Sequence, residues 1–85
     1  MPTISMFYGI LIRMYYDDHN PPHIHAIYND AEAVYGLDGQ LMEGKLPGKQ
    51  QKLVEAWILL HEEELYANWQ LAGNGEQLFR IEPLK

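Results

Sequence analysis

The sequence predicts an α+β domain in which an antiparallel β-meander of four to five strands precedes one long amphipathic helix packed on the sheet. Three observations indicate this class. The first half alternates short runs of β-branched and aromatic residues with turn residues, residues 49–72 follow a helical period, and a short run with strand character comes last. Eighty-five residues suffice for one domain and are too few for two, so we expect a single domain over residues 1–85.

The predicted strands are separated by recognisable turns. Gly9 divides the first two runs, which favours a hairpin, and Asp38-Gly39 is a strong signal for a short hairpin later in the chain. In the second run, alternate residues are apolar on one face only, as expected for a sheet covered on one side. The strands predicted before the helix cover residues 3–8, 10–16, 23–28, 32–37 and, more briefly, 40–43.

The predicted helix spans residues 49–72 and stops at a glycine-rich segment, and residues 77–81 then form a short C-terminal strand. Polar residues interrupt its apolar stripe at His61, Glu64 and Asn68, which are neighbours on a helix surface. Because a buried carboxylate without a partner is costly, Glu64 is expected to meet a donor, lie at the edge of the stripe or hold a proton. The residues predicted to form the buried face are Leu53, Val54, Trp57, Ile58, Leu60, Leu65, Trp69 and Ala72.

Composition excludes several classes of protein. The absence of cysteine excludes disulfides and thiolate metal sites and fits a reducing compartment. No signal peptide is visible, and the longest near-apolar run, residues 56–60, is far below the ~20 residues of a membrane span, so a cytoplasmic protein without membrane contact is expected. The net charge of −6 disfavours nucleic-acid binding without a partner, because that affinity comes mainly from Lys and Arg. A basic protein partner is electrostatically more favourable.

A histidine-rich segment is the main candidate site. It begins with the loop of residues 17–22, in which Pro21 and Pro22 lack backbone donors and stiffen the chain, and an X–Pro bond there is a candidate for the cis form. His23 and His25 follow in the third predicted strand. Residues two apart on a strand share a face, so the two imidazoles are expected to lie side by side.

Three interpretations of this pair stay open. With His19 and Asp18 from the loop, it would hold a divalent metal such as Zn, Ni, Cu or Fe. Without a metal, one imidazole would act as base and one as acid, with Arg13 or Lys45 holding a phosphate. Alternatively, the histidines merely occupy the solvent face of the strand. The adjacent acidic pair Asp17-Asp18 is more typical of a solvated turn than of a Mg or Mn site.

A second candidate joins the histidine pair to the helix. If the helix covers the histidine face of the third strand, His61 and Glu64 approach His23 or His25 and form a buried cluster with perturbed protonation. If the helix covers the other face, the sheet separates the two groups. The sequence leaves this choice open. The segment from His61 begins like the zinc-protease helix motif, but Leu65 stands where the second histidine belongs, so it is not that motif.

Several segments together resemble one bacterial family. The specific part is the block from Asp18 to His25, which has the pattern Asp-His-x-Pro-Pro-His-x-His. With the segments 1–4, 14–26, 43–47, 57–69 and 81–84, the chain resembles domain-of-unknown-function family 4160 over essentially its whole length. The resemblance implies a small prokaryotic protein of undetermined activity. It also implies a neighbouring gene for a short family 2442 protein, in an arrangement like a toxin–antitoxin pair. The residues whose importance it implies, without a role, are Asp18, His19, Pro21, Pro22, His23 and His25.

These observations lead to one expected function and two alternatives. The domain is expected to be the protein-binding component of a two-gene toxin–antitoxin-like or regulatory module, with a small partner protein encoded nearby. The first alternative is a histidine-based nuclease or other phosphodiester-cleaving toxin, with His23 and His25 as acid and base and His19 or Glu64 orienting them. The second is a small metal-binding protein. A homo-oligomer is compatible with each of these functions.

Overall fold

The structure is a computed structural model that describes residues 2–16 and 18–85. Its centre is a five-stranded sheet in which each strand pairs antiparallel with the next along the chain. The strands are β1 (Thr3–Phe7), β2 (Ile10–Arg13), β3 (His23–Tyr28), β4 (Ala31–Gly36) and β5 (Leu41–Gly44). The predicted α+β class and antiparallel meander are therefore confirmed.

Local backbone geometry fixes two corners of the sheet. Tyr8 and Gly9 both have positive φ, 49° and 77°, which is the geometry of a tight hairpin between β1 and β2. Gly44 also has a positive φ of 66°, and a Cβ there would collide with the carbonyl oxygen of Glu32 on β4. Only glycine therefore allows β5 to approach β4 this closely at its end.

The prediction of one long helix is wrong, because two helices, α1 (Gly48–Leu60) and α2 (Glu62–Gly73), meet at His61. His61 has φ −122° and ψ 26°, outside the helical region, although its N–H still donates to Trp57 and Ile58. Leu60, the last residue of α1, lies away from the face that carries Val54, Trp57 and Ile58, and it is 67% exposed where burial was predicted. Across the described parts of the chain, neither helix is long and apolar enough to cross a membrane.

Both helices pack on the same face of the sheet. Ile24 and Ala26 of β3 are fully buried in one cluster with Val54 and Trp57 of α1 and Leu65 of α2. Because side chains alternate along a strand, His23, His25 and Ile27 point to the opposite face. This settles the choice that the sequence left open: the helices cover the side of β3 without histidines, except at the start of the strand, where Trp69 of α2 packs against His23.

The predicted C-terminal strand over residues 77–81 is also wrong, because this segment is not a regular strand. Side chains hold it instead. The amide of Asn68 accepts from the N–H of Phe79 at 3.0 Å and donates to its carbonyl at 2.8 Å. Within the residues described, one backbone hydrogen bond joins the segment to β1, from Ile81 N–H to the Ile4 carbonyl at 2.8 Å. The segment therefore lies along the outer edge of β1 without extending the sheet.

Candidate metal centre

The candidate site lies on the face of β3 that the helices leave uncovered. His23 opens β3 and His25 follows two residues later, with their ring centroids 5.4 Å apart. The preceding loop contains a cis Asn20–Pro21 bond, as the sequence allowed, and brings Asp18 beside the rings. The predicted placement of two imidazoles on one face, next to an Asp from the loop, is present in the structure.

The hydrogen bonds of His23 determine which ring nitrogen faces Asp18. Its Nδ1 lies 2.7 Å from the carbonyl oxygen of Pro21, and because a carbonyl only accepts, Nδ1 carries a proton and donates it. Its Nε2 then faces Asp18 Oδ2 at 2.9 Å. The ring is nearly buried and packs against the indole of Trp69 on α2, with centroids 5.2 Å apart. Its orientation is thus fixed on both sides.

His25 repeats this arrangement. Its Nδ1 lies 3.2 Å from Glu32 Oε2, a carboxylate acceptor on β4, and its Nε2 points towards Asp18 Oδ2 at 3.9 Å. Tyr15 meets the His25 ring edge-on, with centroids 4.6 Å apart and an interplanar angle of 87°. Both imidazoles therefore direct Nδ1 to an acceptor and Nε2 to the same carboxylate oxygen.

Asp18 is the negative centre on which these groups converge. Burial raises the pKa of its carboxyl, but hydrogen bonding from the backbone N–H of His19 and the charge and hydrogen bond of His23 outweigh burial, so the pKa lies below its usual 3.8. The His19 N–H donates to Oδ1 at 2.9 Å, which leaves Oδ2 to the other two histidines. The His19 ring is 88% exposed, with Nδ1 3.1 Å from Oδ1.

These groups have the composition and the spacing of a metal centre. One ligand atom each from Asp18, His23 and His25 lies within 4.8 Å of the other two, and residues 2–16 and 18–85 contain no other such group of three. Two imidazole nitrogens and one carboxylate suit Zn, Fe, Ni or Cu. Histidine ligands characteristically donate their second N–H to a carboxylate or a backbone carbonyl, as both do here.

The centre is open to solvent. It lies in a depression of about 220 Å³ on the uncovered sheet face. The residues that line it are Asp18, His19, His23, His25, Val34, Met42 and Glu43. A bound ion would therefore keep access to water or to an external ligand.

A family model described as "Domain of unknown function (DUF4160)" matches residues 9–70, which include the whole Asp18–His25 block. The chain belongs to the DUF4160 family. No curated protein and no solved structure matches it. The family resemblance seen in the sequence is thus confirmed, whereas the neighbouring family 2442 gene stays a prediction.

In this DUF4160 protein, His61 and Glu64 do not join the candidate metal centre. His61 Nδ1 bonds Glu64 Oε1 at 2.6 Å at the junction of the two helices, and the His61 ring packs near Trp57 with centroids 5.5 Å apart. Since the helices cover the other face of β3, the cluster proposed between these residues and His23 or His25 is not formed. Glu64 thus meets a donor at an exposed position, one of the outcomes expected for it.

The other candidate residues lie around the centre. Arg13 pairs with His25 across β2 and β3, so its side chain lies on the same open face. Pro21 contributes the carbonyl that orients His23, and the Pro22 carbonyl accepts from Leu37 N–H at 3.2 Å. Asp17, the other half of the predicted acidic pair, lies outside the described residues.

Sequence reasoning missed Glu32 as the residue that orients His25. The signal was available in the hairpin register: with the turn at Asn29-Asp30, Val34 pairs with His25 and Glu32 becomes its diagonal neighbour on the same face. It also missed Trp69 as a neighbour of His23, which depends on how α2 packs and has no local signal.

Proposed function

We propose that this DUF4160 protein binds a divalent transition-metal ion through Asp18 Oδ2, His23 Nε2 and His25 Nε2. The observation that carries the proposal is the shared orientation of the two imidazoles. Each Nδ1 is occupied by an acceptor, so each Nε2 is the ring nitrogen directed at the same carboxylate oxygen, where a metal ion would take the place of a proton. This is the arrangement that a metal ion requires of histidine ligands.

Electrostatics supports the same conclusion. A neutral imidazole that donates through Nδ1 would present a lone pair to Asp18, which is repulsive at the 2.9 Å separation of His23 Nε2 and Oδ2. A proton on Nε2 or a shared cation relieves this repulsion. Ligand atoms about 2.0–2.2 Å from one ion stand roughly 3–3.5 Å apart. The observed separations of 2.9 and 3.9 Å need only a small adjustment to reach that range.

The two other functions have less support. A phosphodiester substrate would meet the carboxylates of Asp18, Glu32 and Glu43 beside the histidines, which repel a phosphate unless a metal offsets them. The protein-binding role in a toxin–antitoxin-like pair stays a prediction. It is compatible with a metal centre, because the uncovered sheet face leaves room for a partner.

The first prediction is a direct test by metal analysis and titration. Untagged protein, cleared with a chelator and then titrated with Zn²⁺ or Ni²⁺, should bind one equivalent. His23→Ala should abolish this binding, whereas Glu32→Gln, which removes the carboxylate that orients His25, should weaken it by about 10–100-fold. Because Trp69 packs on His23, Ni²⁺ should also quench its fluorescence, and Trp69→Phe should remove that signal.

The matched control is His61→Ala, which removes a histidine that lies outside the centre and is bonded to Glu64. This variant should bind as the wild type does. The proposal would be ruled out if the wild-type protein takes up no metal, or if His23→Ala and His61→Ala lose metal affinity to the same extent.

A further inference from the structure

Met42 occupies an irregular position in the sheet next to the metal centre. In the pairing of β4 with β5, Val34 opposes Glu43 and Tyr35 opposes Leu41, so Met42 is the extra residue of a β-bulge. Bulges re-aim a side chain and are over-represented beside functional sites. The bulge therefore gives Met42 a direction that regular pairing would not provide.

The thioether lies at the rim of the candidate centre, between this depression and the neighbouring one lined by Pro21 and Pro22. Met42 lines the same depression as the three ligands. Its Sδ lies 3.7 Å from where a Cβ on Gly36 would stand, and Gly36 is the cross-strand partner of His23. Gly36 itself has no side chain, and Asp38 Oδ1 lies 2.6 Å from the position where its Cβ would stand. The Met42 side chain is 45% exposed, so its three rotatable bonds can turn without disturbing the core.

We propose that Met42 is a fourth, thioether ligand that lets this centre also hold Cu(I), and this rests on the metal site proposed above. Thioether sulfur is a soft donor that favours Cu(I), whereas Zn²⁺ is well served by the two imidazoles and the Asp18 carboxylate. With no cysteine in the chain, methionine is the one residue type that brings sulfur to a metal here. Two imidazoles and one thioether form a neutral, soft set for a monovalent ion, with Asp18 balancing its charge.

The experiment compares two metals in two conservative variants of the full chain. Under anaerobic conditions with a reductant, Cu(I) affinity is measured by competition with a chromogenic Cu(I) chelator, and Zn²⁺ affinity by a separate competition. Met42→Leu keeps the size and removes the sulfur. It should weaken Cu(I) binding about tenfold or more and leave Zn²⁺ affinity within about twofold. X-ray absorption at the copper edge should show a sulfur neighbour in the wild type and none in Met42→Leu.

The control variant is Met6→Leu. Met6 is also exposed, but it lies on β1, the edge strand of the sheet opposite β5, and does not line the depression. It should leave both affinities unchanged. If Met42→Leu keeps wild-type Cu(I) affinity, or loses Zn²⁺ and Cu(I) equally, the proposal is overturned while the metal site stands. If the wild type binds neither ion, both proposals fail.

Discussion

At the scale of single residues, the buried polar side chains differ in whether their polar atoms have hydrogen-bond partners. Both amide atoms of Asn68 are hydrogen bonded to the backbone of Phe79, so its complete burial is compensated. The hydroxyl of Tyr35 and the Nε of Arg13 are buried with no hydrogen-bond partner among the residues described. A buried polar atom without a hydrogen-bond partner costs about 1–3 kcal/mol of stability. The unpaired hydroxyl of Tyr35 therefore lowers the free energy of unfolding, although the ring itself is part of the core.

The second prediction follows from Tyr35. Burial raises the pKa of its hydroxyl, and the negative charge of Glu55 raises it further. The unfolded chain therefore loses the tyrosine proton first, and stability should fall as pH rises above the ordinary tyrosine value of about 10. Tyr35→Phe should raise the free energy of unfolding by about 1 kcal/mol at neutral pH. It should also reduce the fall in this free energy at alkaline pH. Urea denaturation at neutral and alkaline pH measures both effects.

Tyr28→Phe serves as the control for this measurement, because Tyr28 is only partly buried against the core. Its stability should follow the wild type at both pH values. A Tyr35→Phe variant that is less stable than the wild type at neutral pH would contradict the prediction, since it would mean that the hydroxyl has a favourable partner.

At the scale of elements, the strands of the sheet were predictable because their signals are local. Alternating apolar residues and the turns at Gly9 and Asp38-Gly39 placed each strand of the meander, although β2 ends at Arg13, three residues earlier than expected. The helical break was not predicted, because the apolar period continues through it and His61 is neither Gly nor Pro. The run of three glutamates after it, typical of a helix N-terminus, was the available signal.

The last predicted strand failed for a different reason. Residues 77–81 have strand character, but their backbone groups are taken up by side chains from distant elements. Besides the two hydrogen bonds between Asn68 and Phe79, Ser5 Oγ donates to the Ile81 carbonyl at 3.0 Å. Just after the segment, Trp57 Nε1 donates to the Glu82 carbonyl at 2.8 Å. Such long-range partners leave no local pattern in the sequence.

The third prediction concerns the two hydrogen bonds between the Asn68 side chain and the Phe79 backbone. Asn68→Leu keeps the branching and the number of heavy atoms of the side chain but leaves the N–H and the carbonyl of Phe79 without partners. The loss in unfolding free energy should be about 2–4 kcal/mol, from two unpaired backbone groups. Hydrogen exchange should accelerate at the Phe79 amide before it does at β3. The matched control is Asn74→Ala, whose side chain makes only an exposed 3.5 Å contact with Glu76 and should change stability by less than about 0.5 kcal/mol.

At the scale of the whole molecule, the candidate metal centre was predictable in its composition but not in its surroundings. The period of two along β3 placed His23 and His25 together. Which face they occupy depended on the helices, since both faces of β3 carry apolar residues. Glu32 and Met42 come from other strands, so their proximity depends on a register and a bulge that no single segment of sequence specifies.

The fourth prediction links this centre to the stability of the entire domain. The ligands join a loop to β3, and the unfolded chain does not hold them together, so a metal ion should bind the folded state selectively. At a free Zn²⁺ concentration about 100 times the Kd, the stabilisation should be about 2.7 kcal/mol. For a domain of this size that corresponds to a rise in Tm of roughly 10–20 °C, which a chelator should reverse. His25→Ala, at a surface-facing position, should fold but show no rise, whereas His61→Ala should keep it. A Zn²⁺-induced rise in Tm that persists in His25→Ala would place the ion elsewhere, because this variant lacks one of the three side chains proposed to bind it.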